Sequence, residues 1–329
     1  MSQLSRIEWT EATWNPVTGC SKVSPGCKHC YALREWPRLS ANPKIVYFGR
    51  EFTDVMCHPE RLIDPLRWNK PRKVFVNSMS DLFHEDVPDS FIDQVFAIMA
   101  LSQQHTFQVL TKRAERMANY MKSLTFNKEH QQRVADAAEA LGYAIGPGLE
   151  AIHLGRLQKA VCSLSVDSAH YLRQALLGTL PNVWMGVSIE NQETADARMP
   201  YLLQTPAAVR WISMEPLVGP VSFRWAQWVD HDAIKEERGR VWHLDGLEGI
   251  HWVVVGGETG PKARPMHPVW ARVVRDQCLE ADVPFFFKQW GEWVPRPPLL
   301  PKSSTIPRIP RCSSSFRRIR TASSQTSRR

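Results

Sequence analysis

The chain has 329 residues, 43% of them hydrophobic and 13 of them Trp, enough to bury one large core or two small ones. No apolar run approaches the length of a membrane span, which excludes an integral helical membrane protein. The net charge of +8 sits at one end. Residues 296–329 hold nine Lys or Arg and no acid, leaving 32 bases and 33 acids in residues 1–295 and excluding a body that is basic overall. The seven cysteines are odd in number and lack framework spacing, and no secretory signal opens the chain. A reducing cytoplasm fits that usage better than an extracellular disulfide scaffold.

A weak strand is expected at Ile7–Thr10. Next comes the most informative stretch, Thr18-Gly-Cys-Ser-Lys-Val-Ser-Pro-Gly-Cys-Lys-His-Cys-Tyr31, with the spacing Cys-x6-Cys-x2-Cys. Gly19, Pro25 and Gly26 let this loop fold back so that three sulfurs converge. Three thiolates suit a 4Fe–4S cluster with one open iron. Structural zinc is the alternative, with a fourth ligand from His29, Cys57 or His58. A second weak strand is expected at Glu51–Met56.

Between Lys73 and Lys288 a rhythm sets in of short apolar or β-branched runs followed by helical stretches. The runs are Val74–Asn77, Thr106–Leu110, Val183–Val187, Val209–Ser213, Trp252–Val255 and Pro284–Phe287. Near-continuous apolar runs suit parallel strands covered on both faces. The fold class expected is α/β, a (β/α) barrel or partial barrel of six to eight mainly parallel strands. Helices are expected at Pro88–Ala100, with a capping-box-like pair Ser90 and Asp93, and at Pro268–Glu280, with apolar Val269, Val273 and Leu279 on a rough helical spacing. Two long intervals read as insertions. One is helical at about 121–180, with helix formers at Glu129–Leu141 and Leu154–Ala160 around Gly146-Pro147-Gly148; the other is Arg224–Ile250. The barrel domain is assigned to residues 1–295. Residues 296–329, rich in Ser, Pro and Arg, read as a disordered tail.

In a parallel barrel the loops after the strands form the active face, so the residues ending each run matter. They are Ser78 and Asp81, then Lys112 and Arg113, Glu190, Glu215, Gly256-Gly257-Glu258, and Lys288. Charges placed at the ends of buried strands must pair with one another or face a polar cavity. Lys112 and Arg113 enter the first turn of a helix against its dipole, so each requires a carboxylate or an anionic ligand. The glycine pair permits close approach of a ligand to the backbone, and a plain strand-to-loop turn equally. No Walker loop, dinucleotide fingerprint, Ser-His-Asp order or His-Glu-x-x-His run is present.

Taken together, Ile7-Glu-Trp-Thr-Glu-Ala-Thr-Trp-Asn-Pro-Val-Thr-Gly-Cys20, Asn77-Ser-Met-Ser-Asp-Leu-Phe-His-Glu85, Leu110-Thr-Lys-Arg113, Val253-Val-Val-Gly-Gly-Glu258 and Phe285-Phe-Phe-Lys-Gln-Trp-Gly-Glu-Trp293 resemble the phage-type three-cysteine-motif proteins. The resemblance spans residues 1 to about 295. That family in turn is similar to the radical S-adenosylmethionine superfamily, although the superfamily's usual spacing is Cys-x3-Cys-x2-Cys. The resemblance implies a 4Fe–4S cluster on Cys20, Cys27 and Cys30, S-adenosylmethionine as cosubstrate, and a nucleotide or nucleic acid as the substrate class. Lys112, Glu215 and Lys288 are then the candidate catalytic groups. Ser78, Asp81, Arg113, Glu190, Gly256, Gly257 and Glu258 are the candidate cofactor-binding ones. The family also implies a companion, the three-Cys-motif partner protein. The alternative function is a non-catalytic zinc-binding module that engages nucleic acid or a partner protein.

Overall fold

The structure, a computed structural model, describes residue 5 and residues 7–144, 179–224, 245–295 and 316–318. Seven parallel strands form one curled sheet in chain order: β1 (Ala12–Trp14), β2 (Lys73–Val76), β3 (Thr106–Thr111), β4 (Val183–Ser188), β5 (Val209–Met214), β6 (Trp252–Gly256) and β7 (Phe285–Gln289). The order runs from β1 to β7 without a ladder joining those two, so the α/β fold is a partial barrel. Six of the seven strands coincide with the apolar runs to within a residue or two. The first does not: Ile7–Thr10 forms a turn closed by the Thr10 amide on the Ile7 carbonyl, and the strand lies just after it. Of the other weak candidate, Glu51–Met56, only Met56 is extended, in a Met56–Cys57 strand paired antiparallel with Val17–Thr18.

Strand alternation divides the side chains into two layers. Val74, Val76, Phe107, Val109, Met185, Val187, Ile212, Met214, Val253 and Val255 face the helices and form the main core. The opposite faces present Phe75, Leu110, Trp184, Trp211, Trp252, Val254 and Phe286 to the barrel interior, where Trp9 packs among them. Trp9 makes edge contacts with Phe75, Trp211 and Trp252 at ring-centroid distances of 5.0, 5.3 and 6.0 Å. The interior is thus plugged by aromatic rings below the ends of the strands.

Among the described residues the helices are α1 (Tyr31–Ser40), α2 (Asp89–Leu101), α3 (Ala114–Phe126), α4 (Lys128–Ala144), α5 (Gln192–Gln204) and α6 (Pro268–Glu280). The expected capping box of α2 is absent. Its N-cap is Pro88 without a side-chain bond, and Asp93 instead turns inward. There Asp93 accepts hydrogen bonds from Tyr120 and His130 at 2.8 Å and from Arg133 at 3.1 Å, joining α2 to α3 and α4. The helical insertion therefore begins as α3 and α4, packed on α2. Its continuation, including Gly146-Pro147-Gly148 and Leu154–Ala160, lies outside the described residues, as does most of Arg224–Ile250. On α6 the buried residues are Ala271, Val274 and Cys278, while Val269, Val273 and Leu279 are exposed. In the region beyond residue 295, Phe316–Arg318 pairs antiparallel with Trp293–Pro295. Among the described residues no helix is long and apolar enough to cross a membrane.

Gly186 on β4 faces inward beside Trp211, its register partner on β5. A Cβ there would stand 2.5 Å from the indole Nε1 of a ring that is fully buried. Gly186→Ala should therefore destabilise the fold by about 1–3 kcal/mol through overpacking, outweighing the roughly 0.4–1 kcal/mol gained by stiffening the unfolded chain. Urea unfolding checks this. A midpoint equal to or above that of the unsubstituted chain would show that the interior yields more than these contacts imply.

Candidate functional site

Every strand of the sheet ends at the same face, and the cysteine loop leaves β1 and folds across it. The loop is tied down at several points. The Cys20 amide donates to Phe52 O at 2.8 Å, Pro25–Cys27 makes one turn of 3-10 helix, and Cys30 forms the N-cap of α1. Gly26 rests on the carboxylate of Glu190, where a Cβ would come within 2.5 Å of it. Ser24 Oγ donates to the same carboxylate at 3.1 Å. Cys20, Cys27 and Cys30 all line one cavity of about 340 Å³, a size in the range of small-molecule sites. Its lower wall is Ile7, Trp9, Phe75 and Leu110, and its upper wall includes Ser78, Asp81, Lys112, Arg113, Glu215, Gly257, Glu258 and Lys288.

The strand-end charges are paired throughout. Lys112 Nζ lies 2.8 Å from Glu190 Oε1, and Arg198 lies 3.0 Å from Glu190 Oε2. Arg113 bridges Asp81 at 3.2 Å and Glu85 at 2.7 Å, and donates to Ser21 Oγ at 2.7 Å. Asp81 also accepts from Thr111 Oγ1 and from the Lys112 amide, so the cations that oppose the dipole of α3 are compensated by carboxylates. Lys288 Nζ meets Glu215 Oε1 at 2.7 Å, while Trp9 Nε1 and Ser213 Oγ donate to Glu215 Oε2 at 3.3 Å. Glu258 binds His29 at 3.0 Å and Arg264 through both carboxylate oxygens, and Arg264 reaches on to Pro25 O of the cysteine loop.

These partners set the ionisation of the groups. Burial works against the Glu258 carboxylate, but hydrogen bonds from the Arg264 side chain and amide and from His29 outweigh it and hold its pKa at about 2. Burial likewise opposes charge on Glu190, and Lys112 and Arg198 bring its pKa below the usual carboxylate value. Burial, then the charge of Asp81, push the Cys20 thiol up to about 12 even though Arg113 lies 3.9 Å from its sulfur. A bound metal would displace that proton, since coordination deprotonates a thiol outright.

The cavity brings together eleven of the thirteen sequence-derived site residues. The other two stand behind its wall. Glu190 is fully buried beneath Lys112 and the cysteine loop, and Gly256 gives its carbonyl to the Leu217 amide. The glycine pair is needed for the protein's own packing. A Cβ on Gly256 would meet Glu215 Oε1 at 2.9 Å, and one on Gly257 would collide with the Trp290 carbonyl. Among the alternative zinc ligands, His29 faces the cavity, whereas Cys57 and His58 do not line it. His58 is occupied by Thr18 and Glu60. Among the described residues, no set of three His, Cys, Asp or Glu side chains is gathered closely enough to hold one metal ion.

Asn77 is a cavity residue that sequence reasoning passed over. It is 3% exposed and adopts a left-handed φ of 59°. Its Oδ1 accepts from the Val17 amide at 3.1 Å, while Nδ2 has no partner among the described residues. The signal available in the sequence was a polar side chain directly after β2, in step with inward-facing Phe75.

The two lysine pairs should respond differently to charge removal. Lys112→Met would leave Glu190, at zero exposure, with Arg198 as its remaining cation, so a loss of about 2 kcal/mol is expected, less than for a buried charge left alone. Lys288 and Glu215 are about a fifth exposed and open on the cavity, so Lys288→Met should cost under about 1 kcal/mol. Paired denaturant titrations decide the order; equal losses would mean that Lys288 is as structural as Lys112.

Similarity of chain path relates the structure to solved structures of spore photoproduct lyase. One, complexed with dinucleoside spore photoproduct, is 10% identical with a TM-score of 0.38, over 84% of this chain and 63% of that one. A cysteine-to-serine variant is 9% identical with a TM-score of 0.40, over 88% and 78%. A doubly substituted variant with bound AdoMet and dinucleoside spore photoproduct gives 10% and 0.34, over 84% and 63%. The chain thus spans less than two thirds of the first of these. No curated relative matches the sequence. One family model matches residues 4–326, nearly the whole length, and the chain belongs to that family, described as protein of unknown function (DUF5131).

Proposed function

We propose that this is a radical S-adenosylmethionine-like iron–sulfur enzyme of phage or mobile-element type, acting on a nucleotide or nucleic acid in a reducing cytoplasm. The observation that carries the reading is the placement of Cys20, Cys27 and Cys30 on one loop across the strand-end face of a parallel partial barrel, around a single cavity. The donor set fits a 4Fe–4S cluster. One zinc ion would need its thiolates about 3.8 Å apart, given Zn–S near 2.3 Å and tetrahedral angles. The cysteines of a cluster bind separate irons instead, and of the described cysteines it is Cys20, Cys27 and Cys30 that line the cavity, the number that leaves one iron open. When bound, such a cluster holds S-adenosylmethionine at its open iron and supplies the electron that cleaves it to a carbon radical.

The chain's own residues supply the surroundings. Trp9, Phe75 and Leu110 form a dry apolar floor, excluding water from whatever lies above. Lys288 Nζ is the cation best placed to donate to a ligand oxygen, because its partner Glu215 is itself part-exposed on the cavity. Glu215 Oε1 can accept a proton or a donor group from the same ligand. Lys112 and Arg113 act by position, fixing Glu190, Asp81 and through them the cysteine loop. The unpaired Asn77 amide adds one fixed donor. The resemblance to three-cysteine-motif proteins extends the proposal to a companion protein of that system.

Anaerobic purification tests the reading. The expected protein is brown, with about four irons and matching sulfide per chain. Cys20→Ala, Cys27→Ala and Cys30→Ala should each lose the iron, while Cys57→Ala and Cys278→Ala keep it. Colourless protein with about one zinc, or full iron in Cys27→Ala, would overturn the assignment.

A further inference from the structure

The cations inside the cavity and those on its rim are in opposite states. Inside, Lys112, Arg113 and Lys288 are each neutralised by a carboxylate at 2.7–3.2 Å. On the rim, Lys22 and Lys28 of the cysteine loop are exposed and have no carboxylate partner among the described residues. The local charge follows the same division. Residues 20–50 hold six Lys or Arg and one acid, leaving 26 bases and 32 acids for the rest of residues 1–295. The positive charge of the body is therefore concentrated in the cysteine loop, α1 and the segment that follows, and Lys22 brings part of it to the cavity. Glu85, the exposed acid nearest the loop, is held by Arg113 at 2.7 Å.

Apolar groups are interleaved with these cations. Val23 and Tyr31 line the mouth and are 45% and 44% exposed, and Phe48 on the adjoining loop is 55% exposed. Unpaired cations beside exposed rings are the combination that tracks a nucleic-acid backbone and stacks its bases. The cavity, about 340 Å³, is on the scale of small-molecule sites, so a polymer would lie across its mouth and not inside it. A phosphate that goes to the strand-end cations has to compete with the carboxylates already bound to Lys112, Arg113 and Lys288.

Resting on the proposed function, we infer that the substrate is a nucleic-acid strand rather than a free nucleotide. Its phosphates lie across Lys22 and Lys28, a base stacks on Tyr31, and one unstacked base enters the neutral, aromatic-floored cavity. A free nucleotide drawn down among the strand ends would bring its charge to Lys112, Arg113 and Lys288, which are already neutralised.

Fluorescence anisotropy of the full-length, anaerobically isolated protein with a fluorescein-labelled single-stranded DNA of mixed sequence, titrated with salt, tests this. Residues 296–329 are the same in every variant, so their nine bases contribute equally. The Lys22→Ala/Lys28→Ala protein should bind about fivefold or more weakly. Its slope of log K against log salt should fall by about 1.4, at about 0.7 per phosphate contact on a single strand. Tyr31→Ala should lose about fivefold or more with the slope unchanged, and Tyr31→Phe should restore binding. Lys128→Ala, at the start of α4, should change nothing. Unaltered affinity and slope in the double variant, or adenosine monophosphate competing as well as the unlabelled strand, would overturn the inference. Iron measured on the same preparations separates the two readings. Iron-loaded protein that ignores the rim substitutions removes this inference alone, while colourless protein that obeys them removes the cluster alone.

Discussion

One buried carboxylate connects the chemistry-bearing loop to the scaffold. Glu190, two residues beyond β4 and at zero exposure, binds Lys112 from just after β3, Arg198 from α5 and Ser24 from the cysteine loop. A carboxylate buried so deeply is tolerable only with such a complement of donors. Gly26 completes the arrangement, because any side chain there would lift the loop off the carboxylate. The positions of Cys27 and Cys30 therefore depend on an ion-pair centre that does not itself line the cavity. Arg264 performs the equivalent task on the other flank by joining Glu258 to Pro25 O.

The ring of strand-end charges is both scaffold and site wall. Each member satisfies another, which removes the desolvation penalty and leaves the cavity electrically balanced. The Lys288–Glu215 pair is the most exchangeable, since both partners face the open volume. Lys112 and Arg113 are bound more deeply, Arg113 to two carboxylates and a hydroxyl. A site built this way suits a ligand whose reacting part is neutral.

Much of this was legible in the sequence for a physical reason. Parallel strands are covered on both faces, so their runs are apolar almost throughout, and their ends are abruptly polar because one face of the sheet carries the site. The cysteine spacing and the ring residues followed from the same logic. Where reading failed, the local pattern had two solutions. Trp9 and Thr10 look like strand residues, yet they form a turn whose indole fills the barrel. Val269 and Val273 share an apolar spacing, but the sheet lies against Ala271, Val274 and Cys278. Gly256 and Gly257 left two solutions open, a ligand against the backbone or a plain strand-to-loop turn, and the groups packed on them are Glu215 and Trp290. Asn77 carries no motif, and its unpaired amide becomes visible only once the Val17 amide is seen to occupy its oxygen.

The Trp9 indole also constrains how the chain is made. Its hydrogen bond to Glu215 spans 206 residues, and its ring partners Trp211 and Trp252 lie on β5 and β6, which are made after the first four strands. On the ribosome, β1 and the cysteine loop leave the tunnel with the far wall of the barrel unsynthesised. Until β6 is made the tryptophans have no enclosed volume to fill, and the three thiols have no cavity behind them. Contacts of such long sequence separation form late and slowly. For most of its synthesis the nascent chain therefore carries Cys20, Cys27 and Cys30 without the far wall of the cavity they line.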